Sequence, residues 1–376
     1  MALVHAFRPA RGDRPGFQAH GGAPGRLHQS TAMPVALPRD DSVRARPRLG
    51  FAGLGWIGGQ RMRTLAGSGV AHAAAVCEPD ASRLDAACAE LACAPAVCPS
   101  FEELIAQPLD GIVIATPNAL HEAQARAALA RGLPVFCQKP LALSRAGIER
   151  LVALAQEKGV ALGVDWSYRC LAGMRELRRR IQDGAIGDVV AAELCFHNAY
   201  GPDAAWYYDV ERSGGGCLLD LGCHLLDLCH WLLGLSGADD VHARCFHAGR
   251  RLEPPVQAAE DCVLAAIEYS SGARVHLACS WRAAAGRGAV IGCRAFGTRG
   301  GAEIANVGGS FYDFEVAITR GTERELLGAP PDAWPGRALI EWAHALPGSG
   351  AGELDGLAET AGVIDRIYGR RVQGAR

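Results

Sequence analysis

Beyond the first few dozen residues, short apolar runs alternate with amphipathic stretches. Residues 49–52, 73–77, 110–115, 133–137 and 160–164 read as strands. Between them, 60–66, 121–131 and 144–158 carry helical spacing. Strands alternating with helices of this length predict a doubly wound parallel α/β sheet. After about Asp165 the pattern changes. Residues 175–183 read as a basic helix, 189–196 as a strand and 218–233 as a largely apolar helix. Four further strands are expected at 262–269, 274–281, 288–296 and 312–318, separated by the turns Ser271-Gly272, Ala285-Gly286-Arg287 and Gly300-Gly301. Hairpins at that spacing predict an open, mainly antiparallel sheet in a second, α+β domain. A helix over 354–368 closes the pattern.

The length of 376 residues allows two domains with substantial cores. The expected division is an extension at 1–46, a nucleotide-binding domain at 47–165, a second, α+β domain at 166–350, and a C-terminal helix and tail at 351–376. Residues 1–46 hold many Arg, Pro, Gly and His but no Lys or Glu, which reads as disorder or as a start assigned upstream of Met33. A transit peptide fits the scarcity of acids but not the frequent Pro, and the apolar run at 2–7 is too short for a secretory signal. A formal charge of −2 gives no nucleic-acid or anionic-membrane signature. No uninterrupted run of about 18 apolar residues suggests a membrane span. The 14 Cys follow neither a metal-ligand nor a disulfide spacing, so a reducing cytoplasm and no metal are expected.

Candidate chemistry gathers at the ends of the predicted parallel strands. Gly53-Leu54-Gly55-Trp56-Ile57-Gly58 follows the first strand and opens a helix, the context in which such glycines let backbone approach a pyrophosphate. Glu78, at the end of the second strand, suits ribose hydroxyls and repels an extra phosphate, so NAD is favoured; nearby Arg83 keeps NADP open. Thr116-Pro117-Asn118 and Gln138-Lys139-Pro140 end two further strands. The chain holds 36 Arg and only two Lys, which draws attention to Lys139: a compact ammonium does what a guanidinium does not. Lys158, at a helix end before Gly159, suits the dipole there.

A second polar cluster lies on the apolar helix. Spacings of four and three put Asp220, His224 and Asp227 on one face, where burial costs several kcal/mol unless they are paired. An Asp–His couple, a capping Asp beside a core His, and a metal site all account for that pattern; His230 reads as structural.

With both clusters in hand, the chain resembles the Gfo/Idh/MocA oxidoreductases from about Arg48 to Tyr368. The nucleotide loop, Thr116-Pro117-Asn118 with His121, Cys137-Gln138-Lys139-Pro140-Leu141-Ala142 and Gly214–Asp227 carry the likeness. The resemblance implies a hydride transfer between NAD(P) and a secondary alcohol or ketone of a sugar, cyclitol or polyol, in a dimer or tetramer. By motif position it makes Lys139, Asp220 and His224 catalytic: His224 as the base, Lys139 on the substrate hydroxyl, Asp220 orienting His224 or binding a neighbouring hydroxyl. Gly53, Gly55, Trp56, Ile57, Gly58, Glu78, Thr116, Pro117, Asn118, His121, Gln138 and Lys139 would meet the cofactor. Arg169 and Trp206 would join the substrate contacts, with Trp206, Tyr207 and Tyr208 as an aromatic wall. Gln138 stands where the family usually has Glu, and 165–169 departs from the usual Gly-aromatic-Asn-Arg-Arg. NAD-assisted glycoside cleavage and a non-catalytic NAD-binding regulator are the rival readings.

Overall fold

The computed structural model describes residues 46–89, 91, 94–346 and 353–370. The expectations for 1–45, Met33 included, and for the tail past Arg370 lie outside the described residues. The first layer runs β1 (Arg48–Ala52), α1 (Trp56–Ser68), β2 (His72–Cys77), α2 (Ala81–Cys88), β3 (Ala96–Val97), α3 (Phe101–Leu104), β4 (Gly111–Ile114), α4 (Asn118–Ala130), β5 (Val135–Cys137), α5 (Arg145–Lys158) and β6 (Leu162–Val164). All six strands pair in parallel, in the order β3-β2-β1-β4-β5-β6. The order reverses between β1 and β4, so the carboxyl ends of β1, β4 and β5 border the crevice where such sheets take ligands. Local signals fix the helix ends. Ser144 caps α5 by accepting from the Gly147 amide, and Gly159 ends it in the left-handed conformation.

The second layer continues with α6 (Met174–Gln182), β7 (Val189–Asn198), α7 (Val210–Ser213), α8 (Cys223–Leu233), β8 (Ala238–His247), β9 (Arg250–Leu252), β10 (Cys262–Tyr269), β11 (Arg274–Ser280), β12 (Ala289–Gly297), β13 (Gly301–Asn306), β14 (Phe314–Arg320) and β15 (Glu323–Gly328). These strands form a nine-stranded sheet in the order β15-β14-β13-β12-β7-β11-β10-β8-β9. Every neighbour is antiparallel except β7 and β11. Helices α6 and α8 pack on one face, joined at β8 by α10 (Leu357–Ile367).

The structure alters several expectations. Gly301 is not part of a turn alone but starts β13, pairing with Phe296 and Thr319. Strands β8 and β15 were hidden by polar residues such as Asp239, Asp240 and Arg244, or Glu323, Arg324 and Glu325, which face outward on or near the sheet's edges. Helix α9 (Arg337–Ala345) returns to the first layer, setting Leu339, Trp342 and Ala343 into the core of Leu49, Phe51 and Phe136. Its spacing of three and one carried that signal. Finally, Val210–Leu233 does reach a hydropathy of 1.3, enough by length and composition to cross a bilayer, yet 89% of its most apolar window is buried inside the protein. A helix apolar all round is here the core of a two-layer domain.

Candidate active site

The crevice is built from the glycine loop upward. Gly53 has φ +84°, and a Cβ there would lie 2.6 Å from the Ala115 carbonyl oxygen. A Cβ on Gly58 would collide with the Gly53 carbonyl, whereas one on Gly55 would meet nothing within 4 Å. The first and third glycines therefore close the turn, and the second leaves open space in front of the helix. Helix α1 has no side-chain cap and no acid in its first turn, so its leading amides remain available to an anion. By contrast Asp80 caps α2 through the amides of Ser82 and Arg83. Trp56, at the head of α1, is 53% exposed. Ile57 follows it in the same half-covered turn.

Glu78 sits directly after β2. Its carboxylate accepts from the Leu54 amide at 2.7 Å and the Asp80 amide at 3.0 Å, bracing the glycine loop while keeping lone pairs for a ribose. In the next loop Thr116 donates to Gln124 at 2.7 Å, Pro117 precedes α4, and Asn118 donates to the Ser213 carbonyl at 2.8 Å. Asn118 thus ties the nucleotide layer to the glycine-rich turn of the second.

His121 is a correction. It is fully buried, with ring nitrogens 2.7 Å from the carbonyl oxygens of Thr116 and Pro140, so it staples two loops and cannot touch a cofactor. Burial lowers its basicity, the two carbonyls oppose that, and Lys139 adds to it.

Lys139, carried by the loop after β5, reaches across to the second layer. Its ammonium donates to the Asp220 carbonyl at 2.5 Å, the Leu219 carbonyl at 3.3 Å and the Asp220 carboxylate at 3.4 Å. Asp220 Oδ2 accepts from the indole of Trp281 at 3.0 Å. These contacts depend on Leu218–Gly222 winding as a π-helical turn before α8, a geometry that departs from the i,i−4 ladder. The wider turn also breaks the expected spacing. Asp220 binds Lys139 and Trp281, not His224, so the predicted Asp–His couple does not form.

His224 is left as a half-buried imidazole whose enclosed Nδ1 has no hydrogen-bond partner among the described residues. Tyr168 lies edge-on to it at 4.9 Å and Trp166 at 5.7 Å. Burial first, then Lys139 and Arg61, holds its pKa well below the ordinary value. A neutral ring can accept a proton, and with Nδ1 enclosed the nitrogen left to do so is Nε2. Tyr168 and Tyr207 stay phenolic, their pKa values raised by burial and then by Asp220.

Asp227 and Arg169 answer each other. The guanidinium meets the carboxylate at 2.5 and 2.8 Å and also donates to the carbonyls of Glu353 and Asp355. Both are buried, so Arg169 braces the fold and the expected substrate contact is withdrawn. Trp206 stacks on Tyr207 with ring centroids 3.9 Å apart, and Tyr208 lies edge-on to Trp281 at 5.4 Å, forming an aromatic wall beside Asp220. His230 is structural, bridging Thr360 and Tyr269. Gln138 donates to Asp165, which pairs with Arg61.

Two contributors gave no signal in the sequence. Trp281 ended a predicted strand without a role. Glu260, fully buried, accepts from the amides of Gly216 and Leu218 at 2.8 Å and from the Tyr368 hydroxyl at 2.9 Å. It pins the turn that carries Asp220. Among the described residues, no three His, Cys, Asp or Glu converge as metal ligands.

Residues 48–166 match the model of the oxidoreductase family with an NAD-binding Rossmann fold, and 174–303 match the GFO/IDH/MocA C-terminal domain. The 1,5-anhydro-D-fructose reductase of Ensifer adhaerens is 35% identical over 176 residues, 46% of this chain and 51% of the relative. The D-apiose dehydrogenase of Paraburkholderia graminis is 28% identical over 272 residues, covering 72% and 69%. The chain spans about half the length of most of the curated relatives it matches. In fold it is similar to GenD2 from gentamicin A biosynthesis in complex with NAD, with TM-score 0.72, 24% identity and coverage of 89% and 96%. Levoglucosan dehydrogenase in complex with NADH and L-sorbose gives TM-score 0.72 at 21% identity, covering 86% and 95%. With both of its layers matched and its glycine cradle shaped for a dinucleotide, the chain belongs to the Gfo/Idh/MocA oxidoreductase family.

Proposed function

We propose that this protein is an NAD-dependent dehydrogenase acting on a secondary alcohol of a sugar, cyclitol or related polyol, in either direction. One observation carries the reading: the Lys139 ammonium, held on Asp220, lies beside a half-buried, neutral His224 whose Nδ1 is enclosed and whose Nε2 is left for a substrate hydroxyl, and the nucleotide layer is headed by an uncapped helix. The nicotinamide, when bound, supplies the hydride acceptor or donor. His224 takes the hydroxyl proton in oxidation and returns it in reduction. Lys139 donates to the substrate oxygen and stabilises the charge that develops there. Asp220 holds Lys139, and Trp281 holds Asp220. The aromatic wall suits a ring substrate, and the names of the relatives, a sugar reductase and a sugar dehydrogenase, support that class. Glu78 favours NAD over NADP.

The inferred division of labour gives 47–165 the cofactor and 166–350 the substrate, with α9 packed back on the nucleotide layer. We also place the protein in the reducing cytoplasm, since every described Cys is a free thiol. A homo-oligomer is supported by the face of the large sheet opposite α8. One row across its middle reads Leu264, Ala278, Cys195, Gly292 and Ala305, uncharged between Arg244 and Glu315 at its two ends. Light scattering that finds only monomer removes this part.

The test is NADH formation over a panel of sugars, sugar acids and inositols, with NADH fluorescence titrated on the same sample. Turnover of at least one polyol with NADH binding supports the reading. Tight NADH binding without turnover of any panel member favours the non-catalytic regulator.

A further inference from the structure

Beneath Lys139 lies a buried polar cluster that the reaction scheme does not use. Asp165 follows β6 and Gln138 follows β5, adjacent strands whose ends are joined by the Asp165 amide donating to the Cys137 carbonyl at 2.9 Å. Arg61 reaches in from the second turn of α1. Its Nε donates to Asp165 Oδ2 at 2.5 Å, its Nη2 to Ser167 Oγ at 2.9 Å, and its Nη1 to the Gln60 side-chain oxygen. Ser167 donates to Asp165 Oδ1 at 2.5 Å, and the Gln138 amide nitrogen donates to Oδ2. Arg61, Asp165 and Gln138 are 4%, 1% and 7% exposed.

This cluster contains one cation, one carboxylate and one amide donor, so its net charge is zero and its donors are matched. Burial alone would raise the Asp165 pKa, but Arg61, Ser167 and Gln138 together hold it below the usual carboxylate range. A carboxylate at 138 would bring two like charges onto one guanidinium and remove a donor. The connections run outward in three directions. Arg61 belongs to the helix that presents the glycine loop. Gln138 is the residue before Lys139. Ser167 opens the turn whose Tyr168 ring lies against His224.

We infer that Arg61, Asp165 and Gln138 form a positioning network that locks the nucleotide helix to the strand end bearing Lys139, and that position 138 must be an amide because Asp165 already supplies the cluster's one carboxylate. The inference rests on the dehydrogenase reading for its effect on turnover, but not for its effect on nucleotide binding.

The experiment compares Gln138→Glu, Asp165→Asn and the transposed double variant. In each, NADH titration counts folded sites and gives the affinity; kcat per site is then measured on the best polyol of the panel. Each single variant is expected to bind NADH more weakly and to lose turnover per site on the order of a hundredfold, the cost of a displacement of about 1 Å at the reacting groups. The double variant, with the carboxylate and amide exchanged, recovers at least about tenfold over the weaker single. If Asp165→Asn does not fold, Gln138→Glu against the double variant gives the same comparison. Unchanged affinity and per-site turnover in Gln138→Glu overturn the inference, as does a double variant no better than the worse single. A merely structural cluster would lower the melting temperature without moving kcat per folded site. If wild type turns over nothing, the dehydrogenase reading fails while the affinity comparison still decides the network.

Discussion

Glu260 offers a test of how the glycine-rich turn is held. It is fully buried and its pKa is pushed up to about 7 by burial, even though two amides and a tyrosine hydroxyl donate to it and pull the other way. An unfolded Glu titrates at 4.5. The folded state therefore binds more protons between those values. Stability from this group is fully present below 4.5 and is lost as pH rises through about 7. About 2.5 pH units at about 1.4 kcal/mol each give an upper limit of about 3.5 kcal/mol. Glu260→Gln removes the titration while facing one amide hydrogen with its own NH2, a fixed penalty of about 1–3 kcal/mol. Urea unfolding at pH 5 and pH 8 checks this, because comparing the variant with wild type cancels the opposite contributions of Asp165 and His224. The penalty for Glu260→Gln is expected to be larger at pH 5 than at pH 8 by up to about 3 kcal/mol. A penalty that does not change with pH, or that grows toward pH 8, would refute a carboxyl group raised by burial.

Two further variants probe the cofactor cradle. Gly55→Ala adds a methyl where nothing lies within 4 Å, so its melting temperature stays near wild type while NADH affinity falls about tenfold or more as the methyl meets the ligand. Unaltered NADH affinity would place the dinucleotide elsewhere. Glu78→Arg removes the acceptor of the Leu54 and Asp80 amides and supplies a cation, so the ratio of NADPH to NADH affinity rises. Fluorescence titration with both nucleotides reads the ratio, and no change in it sinks Glu78 as the discriminating residue.

Five of the six parallel strands were legible because each is a short apolar run bounded by polar or glycine turns, and because Gly53, Gly55 and Gly58 stand between a strand and a helix; the two-residue β3 was too short to show. Lys139 was legible through its rarity and its position after β5. What the pattern could not show is winding. Residues 220 and 224 share a face of an α-helix, but the π turn at Leu218–Gly222 redirects Asp220 to Lys139 and leaves His224 alone. Partnership was equally hidden. Arg169 and His121 sit in motif positions, yet the guanidinium is taken by Asp227 and the His121 ring nitrogens lie against the Thr116 and Pro140 carbonyls, choices set by packing. Strands β13 and β15 are hidden in the sequence because Gly301 reads as a turn and Glu323–Gly328 opens on three charged residues. Arg61 and Asp165, 104 residues apart, meet only because α1 starts and β6 ends on the same side of the sheet.

In the proposed reaction Lys139 and His224 act on the substrate oxygen while the glycine cradle holds the nucleotide independently. Turnover of the best polyol by Lys139→Met, with NADH affinity taken on the same sample, tests it most directly. NADH affinity is expected within about threefold of wild type, with kcat lower by about a hundredfold or more. Near-normal kcat in that variant would contradict it.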